Sequence, residues 1–283
     1  DAPDAPAAMD IVRELSAPTL CWVFADTAGN IGLQGSGWVP KRRAGNTGLT
    51  PVAAWDEKNH WRGWLESHHL PRELNPSRGF VAAANEDINQ PGGPLITTMP
   101  LPDYRKRRIS ERLAEMPAAA VADMQTLQYD VTSVQARELL QVFLPHLPDG
   151  PLKSRLAAWD LRYAPESVEP TLFAGLYRNV LLEIFGHEHG IGWRRMLYLC
   201  TRFGFSIMVL TAIDRLLVKE HSAWWTDRSK GDLIRRAADR TAREKQQPWS
   251  KTNAFRFTNR FFANRVGRVL GFNTGELPMP GCH

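Results

Sequence analysis

The strongest chemical signal in the sequence is a short apolar segment that ends in an uncharged amide. Residues 75–85 read Asn-Pro-Ser-Arg-Gly-Phe-Val-Ala-Ala-Ala-Asn, so Asn85 follows five small or apolar residues. We expect residues 80–84 to form a strand that fixes the Asn85 side chain at its tip. A rigidly held NH2 group suits an oxyanion site, because the charge that develops in a transition state must meet a dipole that already points at it.

The sequence shows no arrangement of a strong nucleophile beside a base. Its first residue is Asp1, and a carboxylate beside an α-amine is a poor acceptor of an acyl group. A basic run, Tyr-Arg-Lys-Arg-Arg-Ile at residues 104–109, follows Asn85 after a Gly/Pro-rich stretch. These residues therefore predict part of a reactive site and no nucleophile.

Composition excludes several classes of protein. The three cysteines, Cys21, Cys200 and Cys282, are too few and too scattered for a disulfide scaffold or a cysteine-based zinc site. The longest apolar run, residues 203–213, is well short of the ~20 residues that cross a bilayer. No signal peptide opens the sequence, and we expect no membrane contact. The formal net charge of +5 does not by itself establish nucleic-acid binding.

The elements that must position Asn85 begin with a hairpin. Residues 19–25 and 31–37 read as two strands around a turn at 26–30, where Gly29 and Asn30 suit left-handed backbone. Residues 38–78 have no sustained period and predict a long loop that crosses a functional face. Helical patterns fill residues 102–245, and Asp130 with Thr132-Ser133 predicts the cap of a helix at 134–144. Extended structure is expected from residue 249, where Phe255 and Phe257 alternate and are expected to form a buried face.

This order predicts an α+β protein in which a helical excursion interrupts a sheet-containing core. We divide the sequence into three segments of one incomplete domain. Residues 1–100 are the sheet portion with the active-site loop, 101–248 the helical insertion, and 249–283 the return to the sheet core. The hydrophobic content of 43% is ordinary for a globular protein of this length.

An ordered set of motifs runs from residue 20 to residue 160. An aromatic strand enters the turn Ala-Asp-Thr-Ala-Gly-Asn-Ile-Gly at residues 25–32. The set continues through residues 37–40, 61–64, 70–71, 75–76, 79–80, 84–85, 104–109, 127–130 and 158–160. Together these motifs resemble the β-chain of the penicillin acylase family of N-terminal nucleophile hydrolases. Residues 249–283 resemble that family's return strand only weakly.

The resemblance implies part of an αββα sandwich with a large helical insertion. It also implies an amidohydrolase that cleaves a small N-acylated substrate, such as a penicillin or cephalosporin side chain or an acyl-homoserine lactone. In that family a free N-terminal Ser attacks the amide and its own α-amine is the base. The motifs begin inside the β-chain, so the nucleophile is expected outside this chain, which alone is predicted to be inactive.

The resemblance carries over two catalytic residues. Asn85 matches the oxyanion asparagine, and Arg105 matches an arginine near it that supports the site and could steer a carboxylate-bearing substrate. The family's calcium ligand falls where this sequence reads Gln-Pro-Gly-Gly-Pro at 90–94. That stretch has no carboxylate, so no metal or cofactor residue is assigned and calcium is left open.

Partners and compartment are likewise implied by the resemblance alone. The partners are the small substrate, the missing α-chain and the missing N-terminal part of the β-chain, with no nucleic acid. A periplasmic or extracellular location follows from the family.

Two alternatives come from other classes. In the first alternative, the chain is a non-catalytic acylase-like protein. In the second, it is a polyanion-binding module that uses the twelve basic residues of 228–268. A metal site at His187-Glu188-His189 is disfavoured because two histidines two positions apart on a helix point in different directions. His68-His69 is most simply a polar loop, and Gly92-Gly93 lacks the Lys-Ser/Thr of a phosphate loop.

Overall fold

A computed structural model of the protein describes residues 1–187, 190–202, 206–225, 228–263 and 265–281. The chain forms two compact units, Asp1–Leu127 and Gln128–His283. Helices and small antiparallel sheets are both present, which confirms the predicted α+β class. The three-segment division proposed from the sequence stays a prediction.

The first unit is built on a hairpin and one helix. Helix α1, Ala5–Arg13, begins after Asp4, whose carboxylate accepts from the Ala7 N–H at 2.8 Å. Strands β1, Cys21–Ala25, and β2, Ile31–Gly35, pair antiparallel and confirm the predicted hairpin.

A third strand joins this hairpin. Strand β3, Arg72–Leu74, pairs antiparallel with β2, and the sheet order is β1-β2-β3. The sequence predicted a loop there, because three residues are too few for a readable alternation. Strand β3 matters because it delivers the chain directly to Asn75, where the motif that contains Asn85 begins.

Helix α1 packs on the sheet, and Met9 makes a close contact there. Met9 is fully buried, and its sulfur lies over Gly32 of β2, where a Cβ atom would overlap it. A glycine at position 32 therefore makes room for the helix. Leu33, Val39 and Leu70 complete the apolar interior around this contact.

The predicted strand at residues 80–84 is not a strand. The segment forms no ladder with any described residue, because side chains satisfy its backbone groups instead. The Ala84 carbonyl accepts from Arg105, the Ala84 N–H donates to Glu86, and the Ala82 carbonyl accepts from Lys106. Ala82 and Ala84 are nevertheless buried, so the small residues pack inward as expected.

Two helices end the first unit. Helix α2, Tyr104–Ala114, carries the basic run on its first turn, and helix α3, Val121–Gln128, follows after a short turn. The sequence predicted both helices, with boundaries a few residues different. Helix α2 is the element that brings Arg105 and Lys106 to the loop around Asn85.

The second unit is a helical assembly around one long helix. Its described helices are α4 Val134–Phe143, α5 Pro151–Ala158, α6 Glu169–Phe185, α7 Trp193–Arg202, α8 Ser206–Leu217, α9 Lys230–Ala242, α10 Trp249–Thr252 and α11 Arg265–Val269. Helix α6 is buried along most of its length and packs closely against α9. The predicted cap is confirmed, since Ser133 accepts from the Ala136 N–H at 3.0 Å and starts α4.

The C-terminal stretch differs from its prediction. Among its described residues, the strands are two residues long, β4 at Ala254–Phe255 and β5 at Leu277–Pro278, and a short helix lies between them. Phe255 and Phe257 are about half exposed, so the alternating aromatics do not form the expected buried face. Alternation over so few residues does not specify a strand without a partner surface.

Within the described residues, none of the helices combines the length and apolar character that a bilayer span requires. Part of the longest apolar run, residues 203–205, lies outside the described residues, as do Glu188, His189 and Cys282.

Candidate active site

The turn between β1 and β2 is organised by one carboxylate. Asp26 accepts hydrogen bonds from the backbone N–H groups of Ala5, Ala28 and Asn30 at 2.9–3.1 Å, and from Asn30 Nδ2 at 2.8 Å. The bonds from the Asn30 side chain and the Ala5 N–H are the main causes that lower the pKa of Asp26 to about 2. Asp26 therefore ties the start of α1 to the hairpin turn.

A pair of asparagines extends this network to the loop that leads to Asn85. Asn75 Nδ2 donates to Asn30 Oδ1 at 2.9 Å, and Asn75 Oδ1 accepts from the Ile31 N–H at 2.9 Å. The Asn75 backbone lies in the left-handed region, with φ at 47°. Asparagine tolerates that conformation better than most residues, which explains its place at this turn.

The chain then turns at Gly79, where φ is 77° and the N–H donates to the Pro76 carbonyl at 2.9 Å. The Arg78 guanidinium lies 5.6 Å from the centre of the Phe80 ring. From this turn the chain runs through the buried Ala82 and Ala84 to the site.

Asn85 is exposed and has a left-handed backbone with φ at 65°. Its carbonyl accepts from the Leu101 N–H at 2.8 Å, which closes the loop of residues 86–100. Among the described residues, nothing accepts a hydrogen bond from its side-chain NH2 group. The side chain thus presents a free donor at the surface of the first unit.

Arg105 fixes the direction of that donor. Its Nη2 atom donates to Asn85 Oδ1 at 2.7 Å and to the Ala84 carbonyl at 2.9 Å. Because the guanidinium holds the amide oxygen, the NH2 group must point the opposite way. The structure therefore brings together the two residues that the sequence singled out, Asn85 and Arg105, although they are 20 positions apart.

Such an arrangement can stabilise negative charge. A neutral donor and a permanent cation lie side by side, and both are held before any ligand arrives. Neither an amide nor a guanidinium is a nucleophile, because the lone pairs of their nitrogen atoms are delocalised. The pair can polarise a carbonyl and cannot attack it.

The chain is similar to known proteins along its whole length. The family model described as penicillin amidase matches residues 1–283. The chain belongs to the penicillin amidase family. It is 30% identical over 325 aligned positions to the acyl-homoserine lactone acylase QuiP of Pseudomonas syringae pv. tomato, which covers all of this chain and 38% of the relative. It is 35% identical over 175 positions to penicillin acylase 2 proenzyme of a Pseudomonas species, which covers 60% of this chain and 22% of that protein.

The fold is also that of a penicillin amidase family protein. The thermostable penicillin G acylase of Alcaligenes faecalis superposes with a TM-score of 0.67 at 16% identity, over 92% of this chain and 54% of that one. This similarity confirms the predicted fold class. The chain spans about 38% of the length of the acyl-homoserine lactone acylase that it matches along its whole extent.

In the loop where the resemblance places a calcium ligand, one asparagine joins the two ends of a short turn. Asn89 Oδ1 accepts from the N–H groups of Ile96 and Thr97 at 2.7 and 3.1 Å, and its Nδ2 donates to Asp87 at 2.7 Å. The described residues contain no group of three or more metal-binding side chains. No cation is assigned to this loop, and no step below uses one.

The other motifs do not add to the site. His68 and His69 are neighbouring rings 4.1 Å apart, and His68 contacts Glu66 at 3.1 Å, as a polar loop requires. The metal cluster considered at 187–189 lies mostly outside the described residues. In the basic segment 228–268, three arginines pair with nearby carboxylates, which lowers the net charge of that surface. These pairs are Arg235–Asp232, Arg240–Glu183 and Arg256–Glu276.

Sequence reasoning missed two residues beside the site. Lys106 and Glu86 each follow a predicted site residue directly, and they pair with each other at 2.9 Å. An ion pair 20 positions apart leaves no periodic signal. The only available sign was that the residues directly after Asn85 and Arg105 carry opposite charges.

Proposed function

We propose that this chain supplies the oxyanion-stabilising part of an amidohydrolase that cleaves small N-acylated substrates. The observation that carries the proposal is the Asn85 amide, exposed at a left-handed position and oriented by Arg105 so that its NH2 group is free. Penicillin side chains and acyl-homoserine lactones are the proposed substrate classes, since the relatives bear the names penicillin acylase and acyl-homoserine lactone acylase.

In the proposed reaction, a nucleophile outside this chain attacks the carbonyl carbon of the amide. The carbonyl oxygen gains negative charge, and Asn85 Nδ2 donates a hydrogen bond to it. The intermediate then collapses, the amine leaves with a proton, and water hydrolyses the acyl-enzyme. The fixed amide contributes because it needs no reorientation as charge develops.

Arg105 has two roles in this proposal. It holds Asn85 Oδ1 and so excludes the flipped amide, which would present an oxygen to the developing oxyanion. Its positive charge also lowers the energy of the oxyanion over a short distance, and it attracts substrates that bear a carboxylate.

The nucleophile is proposed to be an N-terminal residue of a longer protein that includes this chain. Relatives more than twice as long, one of them named as a proenzyme, support this idea. The proposed partners are the α-chain and the remaining part of the β-chain. A periplasmic or extracellular location is proposed with them, and nucleic acid is not an expected partner.

The test is a comparison of turnover by the longer protein and its Asn85→Ala variant with a chromogenic acyl-anilide. Loss of one oxyanion donor lowers kcat by about 10²–10³, with little change in KM. A well-folded Asn85→Ala protein that keeps the wild-type kcat would show that Asn85 is not the donor. No turnover by the wild-type protein, despite a free N-terminal nucleophile, would instead favour the non-catalytic alternative.

A further inference from the structure

An ion pair joins the residues that directly follow Asn85 and Arg105 in the sequence. Lys106 Nζ lies 2.9 Å from Glu86 Oε1, and both side chains are shielded, with 27% and 13% of their surface exposed. Lys106 also donates to the Ala82 carbonyl. Most surface pairs contribute little to stability, but this one is largely desolvated and makes further hydrogen bonds.

Glu86 also binds the backbone of the segment that Lys106 contacts. Its second oxygen, Oε2, accepts from the Ala84 N–H at 2.6 Å. The pair thus binds Ala82 and Ala84, one on each side of Ala83, while Arg105 binds the Ala84 carbonyl. These contacts replace the sheet ladder that the segment lacks, and they hold Asn85 at a φ of 65° that a non-glycine residue rarely adopts.

Both charges are needed in this position. Glu86 is the residue after Asn85, so an unpaired carboxylate there would repel an oxyanion. Burial acts to raise the pKa of Glu86, but the hydrogen bonds from Lys106 and from the Ala84 N–H outweigh it and lower the pKa. The carboxylate is therefore ionised at neutral pH, and Lys106 balances its charge.

We propose that Glu86 and Lys106 are positioning residues, which hold the backbone of residues 82–86 so that the Asn85 amide meets the oxyanion in the transition state. This inference rests on the proposed function. Neither residue is expected to touch substrate. The pair acts on the transition state, because small displacements of a donor weaken its bond to the oxyanion while ground-state binding is unchanged.

The experiment compares steady-state kinetics of the longer protein with those of Lys106→Met, Lys106→Arg and Glu86→Gln. Lys106→Met is expected to lower kcat by about tenfold to a hundredfold, since a misplacement near 1 Å costs up to about that much. KM should change by less than about twofold, because uniform binding is retained. Lys106→Arg should restore most of kcat, since it keeps the charge and the donors.

Lys153→Met is the matched control. Lys153 forms a pair of the same length, 2.9 Å, with Asp149, but that pair is exposed and lies in the other unit. Its removal should leave kcat and KM unchanged. An equal loss of kcat in both methionine variants would overturn the proposal, as would a Lys106→Met protein with wild-type kcat or with a change in KM alone.

Amide hydrogen exchange separates this proposal from the proposed function. Exchange at residues 82–86 should become faster in Lys106→Met and not in Lys153→Met, whether or not the protein is active. Unchanged exchange would refute the positioning role. If exchange is faster in Lys106→Met but the wild-type protein lacks amidase activity, the positioning role is supported and the proposed function is refuted.

Discussion

The removal of Arg105 offers a quantitative test of how the Asn85 amide is aimed. Arg105→Leu removes the donor to Asn85 Oδ1 and the donor to the Ala84 carbonyl. A hydrogen bond to a charged group contributes ~1.5–3 kcal/mol, and the exposure of this pair favours the lower end. If the free-energy preference for the productive amide orientation falls by ~1.5 kcal/mol, about tenfold fewer molecules have the NH2 group in that orientation. We therefore expect kcat to fall about tenfold.

The two residues should also depend on each other. If Arg105 acts by orienting Asn85, its removal from an Asn85→Ala protein should change kcat far less than its removal from wild type, because no amide is left to orient. Initial rates with an uncharged acyl-anilide measure all four proteins of this cycle without a contribution from carboxylate steering. Equal losses in both backgrounds would refute the orienting role and leave Arg105 with an independent electrostatic effect.

Three further predictions concern the surroundings of the site. Asp26→Asn should be less stable than wild type at pH 6. The difference in stability should vanish as the pH falls from about 4 to about 2, because a carboxylate whose pKa is lowered to about 2 loses its stabilising effect in that range. A difference that stays constant over this range would contradict the assignment. Gly32→Ala should destabilise the protein by ~1–3 kcal/mol, because the added Cβ would overlap the buried Met9 sulfur. The denaturation midpoint should therefore fall. An unchanged midpoint would show that the contact is loose. Burial raises the pKa of the Cys21 thiol most, Glu86 raises it further, and Lys106 lowers it. Alkylation of Cys21, followed by peptide mass spectrometry, should therefore be faster in Glu86→Gln and slower in Lys106→Met. Equal changes in the two variants would exclude this charge effect.

Local sequence was sufficient for the hairpin and most helices. Of the two turn residues expected to be left-handed, Gly29 is, with φ at 88°, and Asn30 is not. The glycine and the turn around Asp26 were enough to place β1 and β2 within two residues. Helix α4 was placed by its Ser133 cap and its apolar spacing. These signals lie within a few residues of the structure that they specify, and that is why they can be read without tertiary information.

Structure that depends on distant contacts was predicted less well. Residues 80–84 have the composition of a strand, but their backbone groups bond to the side chains of Glu86, Arg105 and Lys106, and no ladder forms. Strand β3 exists because β2 offers it a partner across the long loop. Propensity does not encode either pairing.

The residues of the candidate site also fall into two groups, those that the sequence predicted and those that depend on distant contacts. Asn85 and Arg105 were found through the order of their motifs, and the structure places them in contact. Their catalytic roles stay predictions. Glu86 and Lys106 had no motif, and their part in the site became visible only from the distance between them.

The central claim is that the Asn85 NH2 group meets the oxygen that becomes negative during amide cleavage. The most direct measurement is a crystal structure of the longer, active protein with a phosphonate that forms a tetrahedral adduct on the nucleophile. The account predicts that Asn85 Nδ2 lies about 2.7–3.1 Å from the adduct oxygen while Oδ1 stays bound to Arg105. An adduct oxygen held by other donors, with Asn85 facing solvent, would contradict it.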